Sequence, residues 1–282
     1  MEKRIYLAGF EVHFNGSPQC QNFIATQATN RETVERIPNG IELVFENDML
    51  VKAYDYDEGS KQERHLEADE IGFPYTEVTP HRILQLAESS TGVHQLGGEI
   101  PNGVNFPDND CVVPFQYLGH ISHEAKAFSW LPFTIHLMCP IYLNIGNVFL
   151  DYSNPAKPVI INRADVERAD TSYEDDLNKD SAIVFEALNF NFEDATEFPG
   201  SVHAGIPNWI QYPAIPVCPK SGKRMTFLCQ LYGGVGVERT NVKAHNEYYS
   251  RYYEEMNFWG DGELFVFFEP TSKVACYFIQ NT

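Results

Sequence analysis

Short apolar runs separated by turn-forming residues dominate the first third of the chain. Residues 41–45 and 49–54 are rich in β-forming side chains and flank the pair Asn47-Asp48. Two such runs around a turn-forming pair are typical of a β-hairpin. The next segment, 55–70, is dense in charge and poor in apolar residues, so the pattern predicts a solvated loop or a frayed element there.

A capping signal marks the next element. Thr79 and Pro80 stand just before residues 82–87. A capping side chain followed by proline is common where a helix begins. The sequence therefore predicts a short helix over 82–87.

One order of motifs occurs twice in the rest of the chain. Each copy has a histidine with glycines, an Ile-Pro-Asn turn, a strand begun by an aromatic residue, and a glycine before a second apolar strand. The anchors of the first copy are His94, Ile100, Phe115 and Gly146, and those of the second are His203, Ile206, Phe227 and Gly262. The spacing grows from 106 residues between the isoleucines to 116 between the last glycines, as loop insertions would produce. The order of the anchors predicts an internal duplication, and the alternative is two unrelated β-rich halves with similar turns.

These patterns together predict an α+β, β-rich fold with an internal pseudo-twofold repeat of a mixed β unit. The expected arrangement is a single compact domain over residues 1–282. Its parts are an amino-terminal extension of strands and a helix (1–90), repeat unit one (91–163), an acidic connector (164–200) and repeat unit two (201–282).

Composition changes this picture mainly through charge. The chain has 39 acidic residues against 20 lysines and arginines, a formal charge of -19. Such a surface repels phosphate backbones and anionic lipids, so neither nucleic acid nor a membrane is an expected partner. The most acidic stretch, 151–197, has twelve acids and four bases, and its centre at 164–180 predicts a short helix and a loop. This stretch is either a solvated face or a docking surface for a basic partner.

The amino terminus and the cysteines bear on location. The apolar run that ends at Gly9 is shorter than a signal-peptide core of ~7–15 residues. The most apolar long stretch, 130–149, is interrupted by Pro132 and Pro140, so no membrane span is expected. Six widely scattered cysteines in a chain of this size predict reduced, buried thiols. These features predict a cytoplasmic protein.

Three motifs near the carboxyl terminus resemble those of the YwqG-like family of bacterial proteins. They are a Gly-x-Pro-x-Trp entry ending at Trp209, a Met-x-Phe-Leu-x-Gln strand ending at Gln230, and a Gly-Asp turn at Gly260-Asp261 that leads into an aromatic strand. The resemblance covers residues 202–282, with 93–162 as a weaker internal counterpart. It implies a β-rich fold built as an internal repeat. The family's biochemical role is poorly defined, and it has no established catalytic residues.

Members of that family often have a Cys-Pro-x-Cys-Gly turn before the methionine strand, which is half of a tetrahedral zinc site. In this chain the turn begins at Cys218 but has Ser221 in place of the second cysteine. The corresponding later position, 269–272, contains no cysteine. Because a neutral hydroxyl is a poor zinc ligand, we expect neither a metal nor any other cofactor.

Four further residues have spacings like those of zinc ligands: His120, His123, His136 and Cys139. However, His136 and Cys139 lie in a run that predicts a strand, where residues three apart point to opposite faces. Isolated, hydrogen-bonded histidines are therefore favoured over a metal site.

No motif assigns a catalytic residue. The chain lacks a Gly-x-Ser-x-Gly nucleophile elbow and a complete phosphate-binding loop. Asp261 could be a general base, but a hairpin turn over 259–262 is the simpler interpretation.

Tyrosines at three- and four-residue spacings mark the segment 246–256 as an amphipathic helix. The tyrosine face either packs on a sheet or recognises a partner. The candidate binding residues, expected to line a cleft between the repeat units, are His94, His203, Trp209, Tyr248, Tyr252, Trp259 and Asp261.

These observations predict a non-enzymatic intracellular binding protein for a basic protein partner. A toxin neutralised by an immunity-type protein and a client held by a chaperone-like one both fit. The alternative is an enzyme, metal-dependent and of hydrolase type, that acts in the cleft between the repeat units. The sequence does not specify an oligomeric state.

Overall fold

The structure, a computed structural model, describes residues 1–9, 12–57, 59–171 and 176–282. Glu174 and Asp175 of the predicted acidic connector lie outside the described residues. The chain divides into two compact units. The first unit comprises Met1–Gln85 and Glu193–Ile215, and the second comprises Leu86–Phe192 and Pro216–Thr282. The boundaries that the sequence suggests at 90, 163 and 200 stay predictions.

Strands predominate over helices, which confirms a β-rich fold. Within the described residues the strands are β1 (Glu2–Ala8), β2 (Ala28–Thr29), β3 (Gly40–Glu46), β4 (Met49–Asp57), β5 (Ser60–Arg64), β6 (Ile83–Glu88), β7 (His94–Leu96), β8 (Gln116–Ile121), β9 (Ile135–Cys139), β10 (Val148–Asp151), β11 (Val159–Ile160), β12 (Ile183–Phe185), β13 (Leu188–Ala195), β14 (His203–Ala204), β15 (Thr226–Leu231), β16 (Val237–Thr240), β17 (Glu263–Glu269) and β18 (Val274–Gln280).

The helices are short. They are α1 (Pro18–Gln27), α2 (Arg31–Val34), α3 (Arg163–Arg168) and α4 (Glu247–Ser250), with 3-10 turns at Lys126–Phe128 and Arg251–Tyr253. None of the helices in the described ranges has the length and apolar character needed to cross a membrane. All six cysteines are free and buried, as predicted.

The main sheet of the first unit has the strand order β2-β1-β3-β4-β5. Asn47 and Asp48 join β3 to β4 with φ of 50° and 64°, the left-handed angles that a tight hairpin turn requires. The predicted hairpin is therefore confirmed. Helix α1 begins at Ser17, whose hydroxyl accepts a hydrogen bond from the N–H of Cys20. It contributes Phe23 and Ile24 to the core beside the sheet.

The predicted solvated loop or frayed element over 55–70 is wrong in its first half, which forms paired strands. Strand β4 continues to Asp57 and pairs with β5. Two cross-strand contacts stabilise this polar hairpin, since the Lys61 ammonium lies 4.0 Å from the ring centroid of Tyr54 and Arg64 lies 3.5 Å from Asp55. Charge density therefore did not prevent strand formation here.

The predicted helix over 82–87 is also wrong, because this segment is strand β6. Leu84 and Gln85 pair with β14. A six-residue helix is marginal by itself, whereas an available strand partner satisfies its backbone groups. Tertiary pairing thus overrides the local capping signal at Thr79 and Pro80.

In the second unit, β11, β10, β18, β17 and β15 lie side by side in that order. Strands β17 and β18 are almost wholly buried, and the rings of Phe265 and Phe278 stack with centroids 5.3 Å apart. A second series pairs β7 with β13 and β8, and β8 with β9, which confirms the predicted strand at His136.

Candidate functional site

The predicted binding residues divide between the two units. His203 and Trp209 belong to the first unit and are buried, with exposed fractions of 0% and 3%. The His203 ring packs against Phe198 with centroids 5.6 Å apart. The other five candidates belong to the second unit.

His94 lies in an aromatic core of the second unit. Its ring centroid is 5.2 Å from those of Phe128 and Phe192 and 5.3 Å from that of Phe190. Its Nδ1 accepts a hydrogen bond from the N–H of Ser122 at 3.0 Å, so the neutral ring has its proton on Nε2. Burial lowers the pKa of His94 to about 4.

This histidine should make the second unit sensitive to acid. Because its folded pKa lies below the ordinary 6.5, the unfolded chain binds a proton more readily. Its contribution is therefore present above pH 6.5 and is lost as pH falls toward 4, with about 2 kcal/mol lost between pH 7.5 and pH 5. Urea unfolding at these two pH values measures the loss. His94→Gln should lack that part of the pH dependence, and the exposed control His123→Gln should keep it. An unchanged pH dependence in His94→Gln would contradict the assignment.

The strongest candidate site is built on α4 and the 3-10 turn that follows it. Asn246 begins α4, and its side-chain oxygen accepts a hydrogen bond from the N–H of Tyr249 at 3.1 Å. The predicted helix over 246–256 is confirmed as helical turns over 247–253 and ends earlier than expected.

Tyrosine rings gather around one arginine in these turns. The ring centroids of Tyr249 and Tyr252 lie 5.2 Å and 6.0 Å from that of Tyr248. The guanidinium of Arg251 lies 4.5 Å from the Tyr248 ring and 4.9 Å from the Tyr252 ring, and its Nη2 donates a hydrogen bond to the Tyr252 hydroxyl at 2.9 Å. Hydrogen bonds with Tyr248 and Arg251 lower the pKa of Tyr252.

Buried partners hold the base of this cluster. Tyr252 and Tyr253 are only 9% and 5% exposed. The hydroxyl of Tyr142 donates a hydrogen bond to the carbonyl of Tyr252 at 3.1 Å. Tyr248, by contrast, is 60% exposed. The Tyr248 ring is therefore exposed to solvent, while Tyr252 and Tyr253 beside it are held in the core.

A buried carboxylate secures the start of α4. Both the backbone N–H and the Nδ1 of His245 lie 2.9 Å from Asp176 Oδ1. The His245 ring in turn packs on Tyr249, with centroids 4.8 Å apart. The Asp176 side chain is only 3% exposed, so it fixes the position of the helix from within the unit.

The turn at 259–262 lies against the same cluster. A Cβ placed on Gly260 would sit 3.8 Å from Cε1 of Tyr252. The N–H of Gly260 donates to the side chain of Asn257 at 2.8 Å. Asp261 is exposed, and its carboxylate accepts a hydrogen bond from Thr282. The structure thus brings Tyr248, Tyr252 and the turn that contains Trp259 and Asp261 together.

The turn itself is confirmed, but its assignment as a hairpin is wrong. It joins the 3-10 turn to β17, and the hairpin lies between β17 and β18. Gly260 has a left-handed backbone with a φ of 83°, and Trp259 has a φ of 63°. A bulky residue in that region costs roughly 1–3 kcal/mol, and such strain is concentrated at functional positions.

We call this region the tyrosine surface. It consists of Tyr248, Tyr249, Arg251, Tyr252, Trp259 and Asp261. Four exposed acids lie in the same segment: Glu247, Glu254, Glu255 and Asp261. Arg251 is the single lysine or arginine of residues 245–261, all of which are described, so one positive charge stands against four negative ones. The exposed charge around the rings is therefore negative.

The candidate metal ligands do not come together as a set. His120 and His136 are cross-strand partners with ring centroids 5.8 Å apart. His136 is bonded to the hydroxyl of Tyr117 at 3.0 Å, and burial lowers its pKa to about 4. His123 instead contacts Thr134, and Cys139 is buried opposite Gln116. Across the described ranges, no three histidine, cysteine, aspartate or glutamate side chains are arranged to hold a metal ion.

One contact joins the turn at 218–222 to the turn at 269–272. These are the two positions that the sequence analysis compared with zinc-binding turns. Cys218 begins a turn in which its carbonyl accepts from the N–H of Gly222 at 2.9 Å. Its Sγ lies 3.1 Å from the hydroxyl of Ser272. Burial disfavours the charge on Glu269, but hydrogen bonds from Ser272 and Thr271 lower its pKa to about 2. A thiol–hydroxyl contact thus connects the two turns, and the Glu269 carboxylate orders the second turn from within.

The sequence did not identify two residues of the site. Arg251 could have been found from its position three residues after Tyr248, where cation–π contact is expected on a helical turn. Asp176 had no local signal, because it lies 69 residues before His245.

The fold and site define a β-rich protein that presents an anchored aromatic cluster among exposed acids. No family model, curated protein or solved structure matches the chain.

Proposed function

We propose that the protein is a non-enzymatic binding protein whose tyrosine surface receives a basic protein partner. The observation that supports this most is the exposed ring of Tyr248, held on a buried base and flanked by acids. Tyrosine, tryptophan and arginine are the residues most enriched among binding hot spots. A rigid aromatic anchor also loses little conformational entropy on binding.

Charge supports a basic partner over an acidic or neutral one. The formal charge of -19 attracts cations over long range and raises the rate of encounter with a basic protein. Around the tyrosines, lysine or arginine side chains of the partner could pair with the exposed acids and lie over the rings. Arg251 carries one positive charge against four exposed acids, so the segment still attracts cations.

Two intracellular roles fit such a surface. An immunity-type protein would neutralise a basic toxin, and a chaperone-like protein would shield a basic client. Six free, buried cysteines favour a reducing compartment, which supports a cytoplasmic location.

We also infer that the chain is a YwqG-like protein built by internal duplication, with an amino-terminal extension. Each proposed copy has a strand that begins with a buried histidine, His94 in β7 and His203 in β14. A glycine at positive φ follows each strand. The aromatic-led strands β8 and β15 both contain a break in register of the kind a β-bulge produces. These shared features support a common origin for the copies.

Affinity capture from a lysate of the source cells tests the proposed function. The wild-type protein should retain basic proteins at low salt and release them at high salt, because exposed charges are screened beyond a Debye length. Tyr248→Ser should lose them, whereas Tyr212→Ser, at a tyrosine of the first unit that is 66% exposed, should retain them. The proposal would be contradicted if the same basic proteins were retained at low and high salt, or if Tyr248→Ser retained them as wild type does.

A further inference from the structure

A pocket of about 350 Å³ lies within the first unit, between α1 and the segment 73–81. This volume is in the range of small-molecule sites. The pocket includes none of the residues of the tyrosine surface, and no sequence motif indicated it.

The inner wall of this pocket is apolar and belongs to the folded core. Ile24 and Phe73 are 2% and 4% exposed and are members of the main core cluster of the unit. Val78 packs against the same cluster. Because these side chains are fixed by the core, the pocket is formed before any ligand binds.

His81 is a polar residue of the lining, and its hydrogen bond fixes its tautomer. Its ring Nε2 lies 3.2 Å from the carbonyl oxygen of Ala25. Since a carbonyl can only accept, Nε2 bears the proton and Nδ1 is the acceptor nitrogen. Its backbone N–H donates to Ala28 at 2.7 Å, which fixes the residue, and burial lowers the pKa of the ring.

The charge of the lining selects for a cation. Glu77 supplies a carboxylate, and none of the lining residues, all of which are described, is lysine or arginine. The nearby Lys3 is bonded to Asp48 at 2.7 Å, lies over the ring of Tyr75 and also interacts electrostatically with Glu77, so its single positive charge faces two carboxylates. A ligand with a carboxylate or a phosphate would meet like charge here, while a protonated amine would meet acceptors.

We propose that this pocket binds a small organic amine with an apolar body. The apolar part would lie on Ile24, Phe73 and Val78, and the ammonium group would lie toward Glu77 and His81. This site is independent of the tyrosine surface, since its residues all belong to the first unit.

Calorimetric titration of the full chain with tryptamine at low salt tests this site. Two matched probes share its ring but not its charge: indole-3-propionate is an anion and tryptophol is neutral. We expect saturable binding of tryptamine that is about tenfold tighter than that of indole-3-propionate. Absence of saturable tryptamine binding, or equal affinity for the anion, would overturn the proposal.

Two variants locate the binding. Ala25→Trp places a large side chain at an exposed helical position in the pocket wall and should weaken tryptamine at least about tenfold. Glu77→Gln should weaken tryptamine about fivefold and leave tryptophol unchanged. Glu32→Gln, at an exposed acid on α2, is the control and should change neither. Unfolding midpoints equal to wild type establish that the variants are folded. Binding that survives Ala25→Trp in folded protein would place the ligand elsewhere and refute the site.

Discussion

Replacing Gly119 by alanine is expected to lower the free energy of unfolding of the second unit by about 4 kcal/mol. Gly119 has a φ of 116°, and a Cβ there would lie 2.0 Å from the carbonyl oxygen of Gln95. That oxygen belongs to the neighbouring strand β7, so no side-chain rotation relieves the clash. Backbone strain of roughly 1–3 kcal/mol adds to overpacking of roughly 1–3 kcal/mol.

Urea unfolding of Gly119→Ala beside Gly146→Ala measures this effect. Gly146 is the matched control, because no atom lies within 4 Å of a Cβ placed there and its φ is outside the left-handed range. The control should stay within about 0.5 kcal/mol of wild type. If Gly119→Ala unfolded within about 1 kcal/mol of the control, the paired geometry of β7 and β8 would be wrong.

Glu42→Ala should cost the first unit about 3 kcal/mol. Glu42 lies on β3 and is only 1% exposed. Its carboxylate accepts a hydrogen bond from the Tyr56 hydroxyl at 2.8 Å and from the Lys61 ammonium at 2.5 Å, and it forms an ion pair with Arg4. Removing the carboxylate leaves a buried cavity and takes away the hydrogen-bond acceptor of Tyr56, Lys61 and Arg4. The Arg4 and Lys61 side chains are 40% and 36% exposed, so water restores part of the loss.

Glu42 should also make the stability of the first unit depend on pH. Burial opposes its ionisation, but hydrogen bonds from Lys61 and Tyr56 outweigh burial and hold the pKa of Glu42 below the ordinary 4.5. Its stabilisation is therefore present above pH 4.5 and is lost as pH falls through the lowered pKa. Glu35→Ala, which breaks an exposed pair with Arg31, should cost less than about 0.5 kcal/mol. Equal losses for the two variants in urea unfolding would contradict the buried network.

Local signals predicted local structure well. The turn at Asn47-Asp48 needs left-handed backbone at two adjacent residues, and both residue types tolerate it. The helical turns that contain Tyr248 follow from a capping asparagine and a repeat of tyrosines. In each case the decisive residues lie within a few positions of one another. The physical information was therefore present in a short window of sequence.

Long-range pairing explains the errors. Residues 82–87 became strand β6 because Gln85 pairs with His203, more than a hundred residues away. No local pattern reports such a partner. The polar strand β5 likewise depends on contacts with Tyr54 and Asp55 across the hairpin.

The candidate site was predictable only in part. Tyr248, Tyr252, Trp259 and Asp261 were chosen for their chemistry, and the structure places the tyrosines beside the turn that contains the other two. The pocket was missed because its walls come from α1 and from a segment more than forty residues later, with no motif in either.

The affinity of one captured basic partner for two variants tests the central claim most directly. Isothermal titration at physiological salt should show Tyr248→Ser binding at least about tenfold more weakly than Tyr212→Ser, which should match wild type. Equal affinities for the two serine variants would contradict recognition through the tyrosine surface.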